Sequence, residues 1–113
     1  MYYLKIISLN GCPYSEASEK FVNENKIKSK IFKINHQEKD KFKTEEISTF
    51  PQIFLKKEYS SGNILIGGFS TIKSYFDDIH SNKKTLKSVV EKIKRDNSKL
   101  SEKSVLRLIQ LLS

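Results

Sequence analysis

Tyr2-Tyr3-Leu4-Lys5-Ile6-Ile7-Ser8-Leu9-Asn10-Gly11-Cys12-Pro13-Tyr14-Ser15 decides how this chain is read. Residues 2–9 are β-branched, aromatic and almost continuously apolar, the pattern of a strand buried on both faces. Asn10-Gly11 is a turn signal. Pro13 then suits the first position of a helix, where its missing N–H would have had no intrahelical partner. The helix is expected over Tyr14–Asn25, with Ala17, Phe21 and Val22 inward and Glu16, Glu19, Lys20 and Glu24 outward. Two of those acids fall in the first turns, where the helix dipole favours them. A strand therefore hands over to a helix at Cys12.

The pattern repeats downstream. Lys30–Asn35 reads as a second strand, and strand, helix, strand within some 35 residues is a βαβ unit with a parallel pair. His36–Ile47 is highly charged, with Phe42 and Ile47 as its apolar points, and is expected to be a short solvated helix. Thr49-Phe50-Pro51 breaks it. Gln52–Leu55 is a third strand, and Ser60-Ser61-Gly62-Asn63 turns it back into Ile64-Leu65-Ile66 as an antiparallel hairpin. Gly67-Gly68 closes that strand. A helix is expected from about Ser70, with Ile72, Tyr75, Phe76 and Ile79 on its inner face. The order is β-α-β-α-β-β-α, complete by residue 81: an α/β chain with a mixed four-stranded sheet flanked by helices.

Residues 82–113 add two helical patterns. Leu86, Val89, Val90 and Ile93 recur at helical spacing. After Asp96-Asn97-Ser98, a second helix starting at Ser101–Ser104 carries Val105, Leu106, Leu108, Ile109, Leu111 and Leu112. The expected organisation is a domain over 1–81 and a basic helical extension over 82–113 packed on its core. Were the run Leu108–Leu112 exposed, it would point to a partner or a dimer; a monomer is expected. The formal charge is +8, of which residues 83–113 carry +6. A basic tail can meet nucleic acid or anionic lipid, but the packed tail leaves solvated lysines as the simpler reading, and neither nucleic acid nor membrane is expected as a partner. No stretch approaches the ~20 apolar residues of a membrane span, no export signal is visible, and the cytosol is the expected location.

With 113 residues the chain is long enough to bury a core without staples. One cysteine excludes an internal disulfide and any zinc site built from several thiolates. His36 and His80 show no ligand spacing and read as surface or loop histidines. Cys12 is different. Helix starts offer free N–H groups and partial positive charge, which favour a thiolate over a thiol, and the thiolate is the nucleophile of thiol–disulfide exchange. Ser15, one turn on, is within reach to donate a hydrogen bond to the sulfur.

Three segments taken together resemble the glutaredoxins. Cys12-Pro13-Tyr14-Ser15 matches their C-P-Y-C/S active site at the end of the first strand. Thr49-Phe50-Pro51 matches their T-V-P segment, and Ile66-Gly67-Gly68-Phe69 their I-G-G-x segment. The resemblance covers residues 1–80 and implies a thioredoxin-like fold. It also implies a cis proline at Pro51 facing the sulfur, an exposed Tyr14 ring beside it, and glutathione as co-substrate. Glutathione would lie against Thr49, Phe50 and Pro51 and against Gly67, Gly68, Ser70 and Thr71. Cys12 with Pro13, Tyr14 and Ser15 would form the reactive loop, and glutathionylated proteins would be the substrates.

The departures shape the expected chemistry. Ser15 stands where dithiol relatives have a second cysteine, which leaves the monothiol route. Leu9 replaces a basic residue found in many relatives, and Ser70-Thr71 replaces an Asp shortly after the glycine pair. Charged hydrogen bonds contribute roughly 1.5–3 kcal/mol against roughly 0.5–1.5 for neutral ones, so weaker glutathione affinity is expected unless Lys41, Lys43 or Lys56 substitutes. Two other readings accompany the enzyme. One is a carrier or sensor in which two protomers share a [2Fe–2S] cluster through Cys12 and two glutathiones. Relatives that do this most often have Gly-Phe where this chain has Pro13-Tyr14, and Pro13 stiffens the loop against it. The other is a non-catalytic binding module working through the basic tail.

Overall fold

A computed structural model describes residues 1–113. Four strands form one sheet in the order β2-β1-β3-β4: β1 (Tyr2–Leu9), β2 (Ser29–Ile34), β3 (Gln52–Lys57) and β4 (Asn63–Gly67). β1 and β2 are parallel, while β3 runs antiparallel to both β1 and β4. The helices are α1 (Pro13–Glu24), α2 (Lys39–Phe42, preceded by a 3₁₀ turn over His36–Glu38), α3 (Phe69–Ile79), α4 (Leu86–Asp96) and α5 (Glu102–Leu112). This is the thioredoxin-like arrangement that the resemblance implies, with two further helices at its C-terminal end.

Period-two alternation along β1 divides the interior. Leu4 and Ile6, with Ile53, Leu55 and Ile66 of the neighbouring strands, face Phe21 and Val22 of α1 and Ile72 and Tyr75 of α3. Val89 and Ile93 of α4 and Val105, Leu108, Ile109 and Leu112 of α5 belong to that same cluster of 17 buried residues. The apolar face of the C-terminal helices is thus core. Thr85 and Ser101 cap α4 and α5 through their hydroxyls, as short polar residues at helix starts do. The opposite face of β1 places Ile7 and Leu9 with Ile34 and Phe50 in a smaller cluster, against which Cys12, Phe42 and Phe54 pack.

Two expectations are corrected. The helix predicted over His36–Ile47 ends at Phe42. Beyond it, Thr44 and Ile47 close a local turn, with Thr44 N–H on the Ile47 carbonyl at 2.8 Å and Ile47 N–H on the Thr44 hydroxyl at 3.1 Å. A threonine that captures nearby backbone groups in this way competes with helix. In α1 the buried stripe is Ser15, Ser18, Phe21 and Val22, while Ala17 is only half-buried. Ser18 satisfies its hydroxyl on the Ser15 carbonyl at 2.7 Å, so two serines sit inside at little polar cost.

Candidate active site

The C-terminal end of β1 builds the site. Gly11 takes φ +78°, a left-handed conformation that glycine adopts without steric penalty. Asn10 N–H donates to the Ile34 carbonyl at 2.9 Å, and Asn10 Nδ2 donates to Asn35 Oδ1 at 2.7 Å, fastening the turn to the end of β2. Cys12 follows as the N-cap of α1 with extended backbone and Pro13 in the first turn. Its N–H donates to the Leu9 carbonyl at 3.1 Å, and its side chain makes no cap hydrogen bond. The N–H groups of Tyr14 and Ser15, at the second and third helical positions, have no intrahelical acceptor. They are the donors a thiolate at Cys12 would find.

Facing Cys12 is the segment before β3. The Phe50–Pro51 peptide is cis, and the Cys12 thiol donates to the Phe50 carbonyl at 3.7 Å. Phe50 N–H makes no hydrogen bond within the chain. Phe50 and Pro51 are buried and Thr49 is exposed. Tyr14 is 66% exposed, an open ring on the first turn of α1.

The third segment closes from β4. A Cβ on Gly68 would sit 3.7 Å from the Pro51 carbonyl, so the glycine pair lies directly beside the proline. Gly67 has φ +146°, and a Cβ there would meet Thr71 Oγ1 at 2.8 Å. Gly68 is the N-cap of α3 and offers no side chain to it, which leaves the N–H groups of the first turn, including those of Ser70 and Thr71, without a side-chain cap. Ser70 is exposed; Thr71 is half-buried against Gly67. A cleft of about 580 Å³ runs beside β4 from Thr44 and Ile47 to Gly67.

The three segments singled out in the sequence therefore converge, but not every side chain does what the pattern suggests. Ser15 is fully buried, and its hydroxyl accepts the Leu9 N–H at 3.0 Å instead of donating to the sulfur. Leu9 packs its side chain in the smaller cluster. Of the three lysines considered as replacement cations, Lys56 is excluded: it lies five residues along β3 from Pro51, roughly 17 Å away at strand spacing, and its ammonium donates to the Ser60 carbonyl at 2.7 Å. Lys43 pairs with Asp40 at 3.3 Å, and Lys41 is exposed without an ion-pair partner. Gln52 escaped the sequence reading. Directly after Pro51 and buried, it donates from Nε2 to the Phe42 carbonyl at 2.8 Å and holds α2 against the site. Nothing in a strand pattern distinguishes such a glutamine from an outward-facing one.

Comparison with known proteins agrees with this geometry. The glutaredoxin family model matches residues 1–60. Among solved structures, glutaredoxin 1 from Francisella tularensis, complexed with cacodylate, is similar at 31% identity. The match covers 70% of this chain and 96% of that one, with a TM-score of 0.54. No curated protein matches the chain. A thioredoxin-like sheet, an N-cap cysteine facing a cis proline and a family match over more than half of the residues lead to one conclusion: the chain belongs to the glutaredoxin family.

Proposed function

We propose that this thiol–disulfide oxidoreductase works by a monothiol, glutathione-dependent route through Cys12. The observation that carries the reading is the pairing of the chain's single thiol, at the start of α1, with the Phe50 carbonyl beside cis Pro51. Cys12 thiolate attacks the glutathione sulfur of a protein–glutathione mixed disulfide. The S–S bond breaks, the protein leaves as a thiolate that takes up a proton, and glutathione remains joined to Cys12. A second glutathione thiolate then attacks that glutathionyl sulfur. Oxidised glutathione departs and Cys12 returns as thiolate, so electrons and protons balance with one free glutathione consumed per turnover, its proton passing to the released protein thiolate. Ser15 provides no resolving thiol, and its buried hydroxyl accepts the Leu9 N–H.

Glutathione fits the surface between the segments. The free N–H of Phe50 and its carbonyl would pair with the cysteinyl backbone, Thr49 and Pro51 would flank it, and the first turn of α3 at Ser70 and Thr71 would take the γ-glutamyl carboxylate. Gly67 and Gly68 keep that approach open. Neutral hydroxyls in place of a charged partner support weak glutathione binding. Glutathionylated proteins in the cytosol are the proposed substrates, met by a monomer. No helix is long and apolar enough to cross a membrane.

The test is reduction of a glutathione mixed disulfide coupled to glutathione reductase and NADPH. Turnover in the wild type that disappears in Cys12→Ser upholds the reading. A folded, reduced wild type without turnover overturns it.

A further inference from the structure

A second cleft, of about 690 Å³, lies away from Cys12. It opens at the opposite end of the sheet, where β1 begins at Tyr2, roughly 25 Å along the strand direction from the cysteine. Three parts of the chain bring cations to it: Lys26 and Lys28 from the α1–β2 connection, Lys57 from the end of β3, and Lys103 and Arg107 one turn apart on α5. Only Lys28 has a carboxylate partner, Glu58 at 2.8 Å. Arg107 reaches only the neutral Gln110 side chain, at 2.9 Å. Lys26, Lys57 and Lys103 form no ion pair, although lysines elsewhere pair with acids on their own helix or across elements. Like charges gathered in a concavity raise the local positive potential and attract anions.

We propose that this cleft binds a compact polyphosphate-type anion. Its volume falls within the roughly 300–1,000 Å³ usual for small-ligand sites. An extended acidic peptide presents side chains on one face only every ~6.8 Å, too sparsely to meet four free cations in that space. Contiguous phosphates supply one charge after another at close spacing. Arg107 can take phosphate oxygens through its planar fork, and the lysines act as mobile point charges. Helix α5 supplies the decisive wall, which gives the C-terminal segment a ligand-binding role separate from thiol chemistry.

Calorimetric titration with sodium tripolyphosphate at near-physiological salt tests the site. Lys103→Glu/Arg107→Glu is compared with Lys84→Glu/Lys87→Glu, which alters net charge equally on another surface. One-to-one binding weakened at least about tenfold in the first variant, and less than about twofold in the second, is expected. Amide shift changes in the wild type should cluster at Lys26, Lys57 and Arg107, independently of how the variants fold. Neither pair touches the Cys12 site, so thiol-transfer activity should persist in both. ATP binding as tightly as tripolyphosphate would identify a nucleotide as the source of the phosphates; weaker ATP binding would identify a free polyphosphate. No saturable binding, equal loss in both variants, or binding of a single-stranded oligonucleotide without tripolyphosphate would overturn the proposal.

Discussion

Leu9 N–H donates to the Ser15 hydroxyl at 3.0 Å, joining the last residue of β1 to the first turn of α1 beneath the loop that carries Cys12. Both residues are buried. Ser15→Ala leaves the Leu9 N–H without an acceptor, and an unsatisfied buried donor costs about 1–3 kcal/mol. The variant should unfold at lower denaturant concentration with an unchanged slope. Thiol-transfer turnover should fall less than it does in Cys12→Ser, because the serine holds the loop and does not touch the sulfur. Retention of full stability would show that water replaces the hydroxyl.

Gly67 and Gly68 separate steric from chemical requirements at the site. Alanine at Gly67 meets Thr71 Oγ1 at 2.8 Å and Thr71 Cβ at 3.0 Å, on a backbone with φ +146° that side chains disfavour. Gly67→Ala should destabilise by about 1–3 kcal/mol, and Thr71→Ala added to it should restore little, since the Cβ contact persists. Gly68 has ordinary backbone dihedrals, and its added Cβ would meet only the Pro51 carbonyl at 3.7 Å. Gly68→Ala should keep its melting temperature and, on the proposed glutathione route, raise KM for glutathione. Equal stability of the two variants would refute the steric distinction.

The contrast between these glycines and Ser15 shows what the sequence could carry. β1, α1 and the β3–β4 hairpin follow from apolar periodicity and from Asn10-Gly11, Pro13 and Gly67-Gly68 as punctuation, all local signals. The convergence of Cys12, Pro51 and Gly68 follows from the element order once three short segments are recognised together. Ser15, Ser18 and Gln52 were not legible, because each is a polar residue whose burial depends on a partner far along the chain or on a backbone group. The end of α2 at Phe42 rested on Thr44 capturing backbone groups near Ile47, a choice made by geometry and not by charge pattern. The basic cleft was equally hidden: its five cations are spread from residue 26 to residue 107.

Tyr75 ties α3 to the start of the α4–α5 turn. Its hydroxyl is buried, donates to Asp96 Oδ2 at 2.8 Å and accepts from Asn97 Nδ2 at 3.2 Å. Burial, reinforced by the Asp96 carboxylate, holds the phenol well above its ordinary range. At alkaline pH the unfolded chain releases this proton near pH 10 while the folded chain keeps it, so the unfolded state binds fewer protons and stability falls as pH rises. Below that range the group contributes no pH dependence. Tyr75→Phe should cost about 1 kcal/mol at neutral pH, and its deficit against the wild type should shrink above about pH 10. Denaturant midpoints of both proteins between neutral and alkaline pH provide the check; a constant deficit would mean that the phenol titrates normally.

The C-terminal helices give the last prediction. Leu108 is fully buried in the cluster that also holds Leu4 and Ile6 of the central strand, and His80 Nε2 hydrogen-bonds the Leu112 carbonyl at 2.7 Å, fastening the end of α3 to the end of α5. Leu108→Ala should therefore cost about 2–5 kcal/mol, the range for a buried leucine that leaves a cavity. Leu106, two residues away but 40% exposed, should cost under about 1 kcal/mol on the same change. Removal of residues 82–113 takes seven of the 17 buried residues out of that cluster and exposes the faces they covered, an apolar surface that a small domain does not keep open in water. The shortened chain should aggregate or lose its near-ultraviolet circular dichroism. If residues 1–81 instead fold and turn over glutathione mixed disulfides at the full-length rate, the extension is an accessory to the core and its only role lies in the basic cleft.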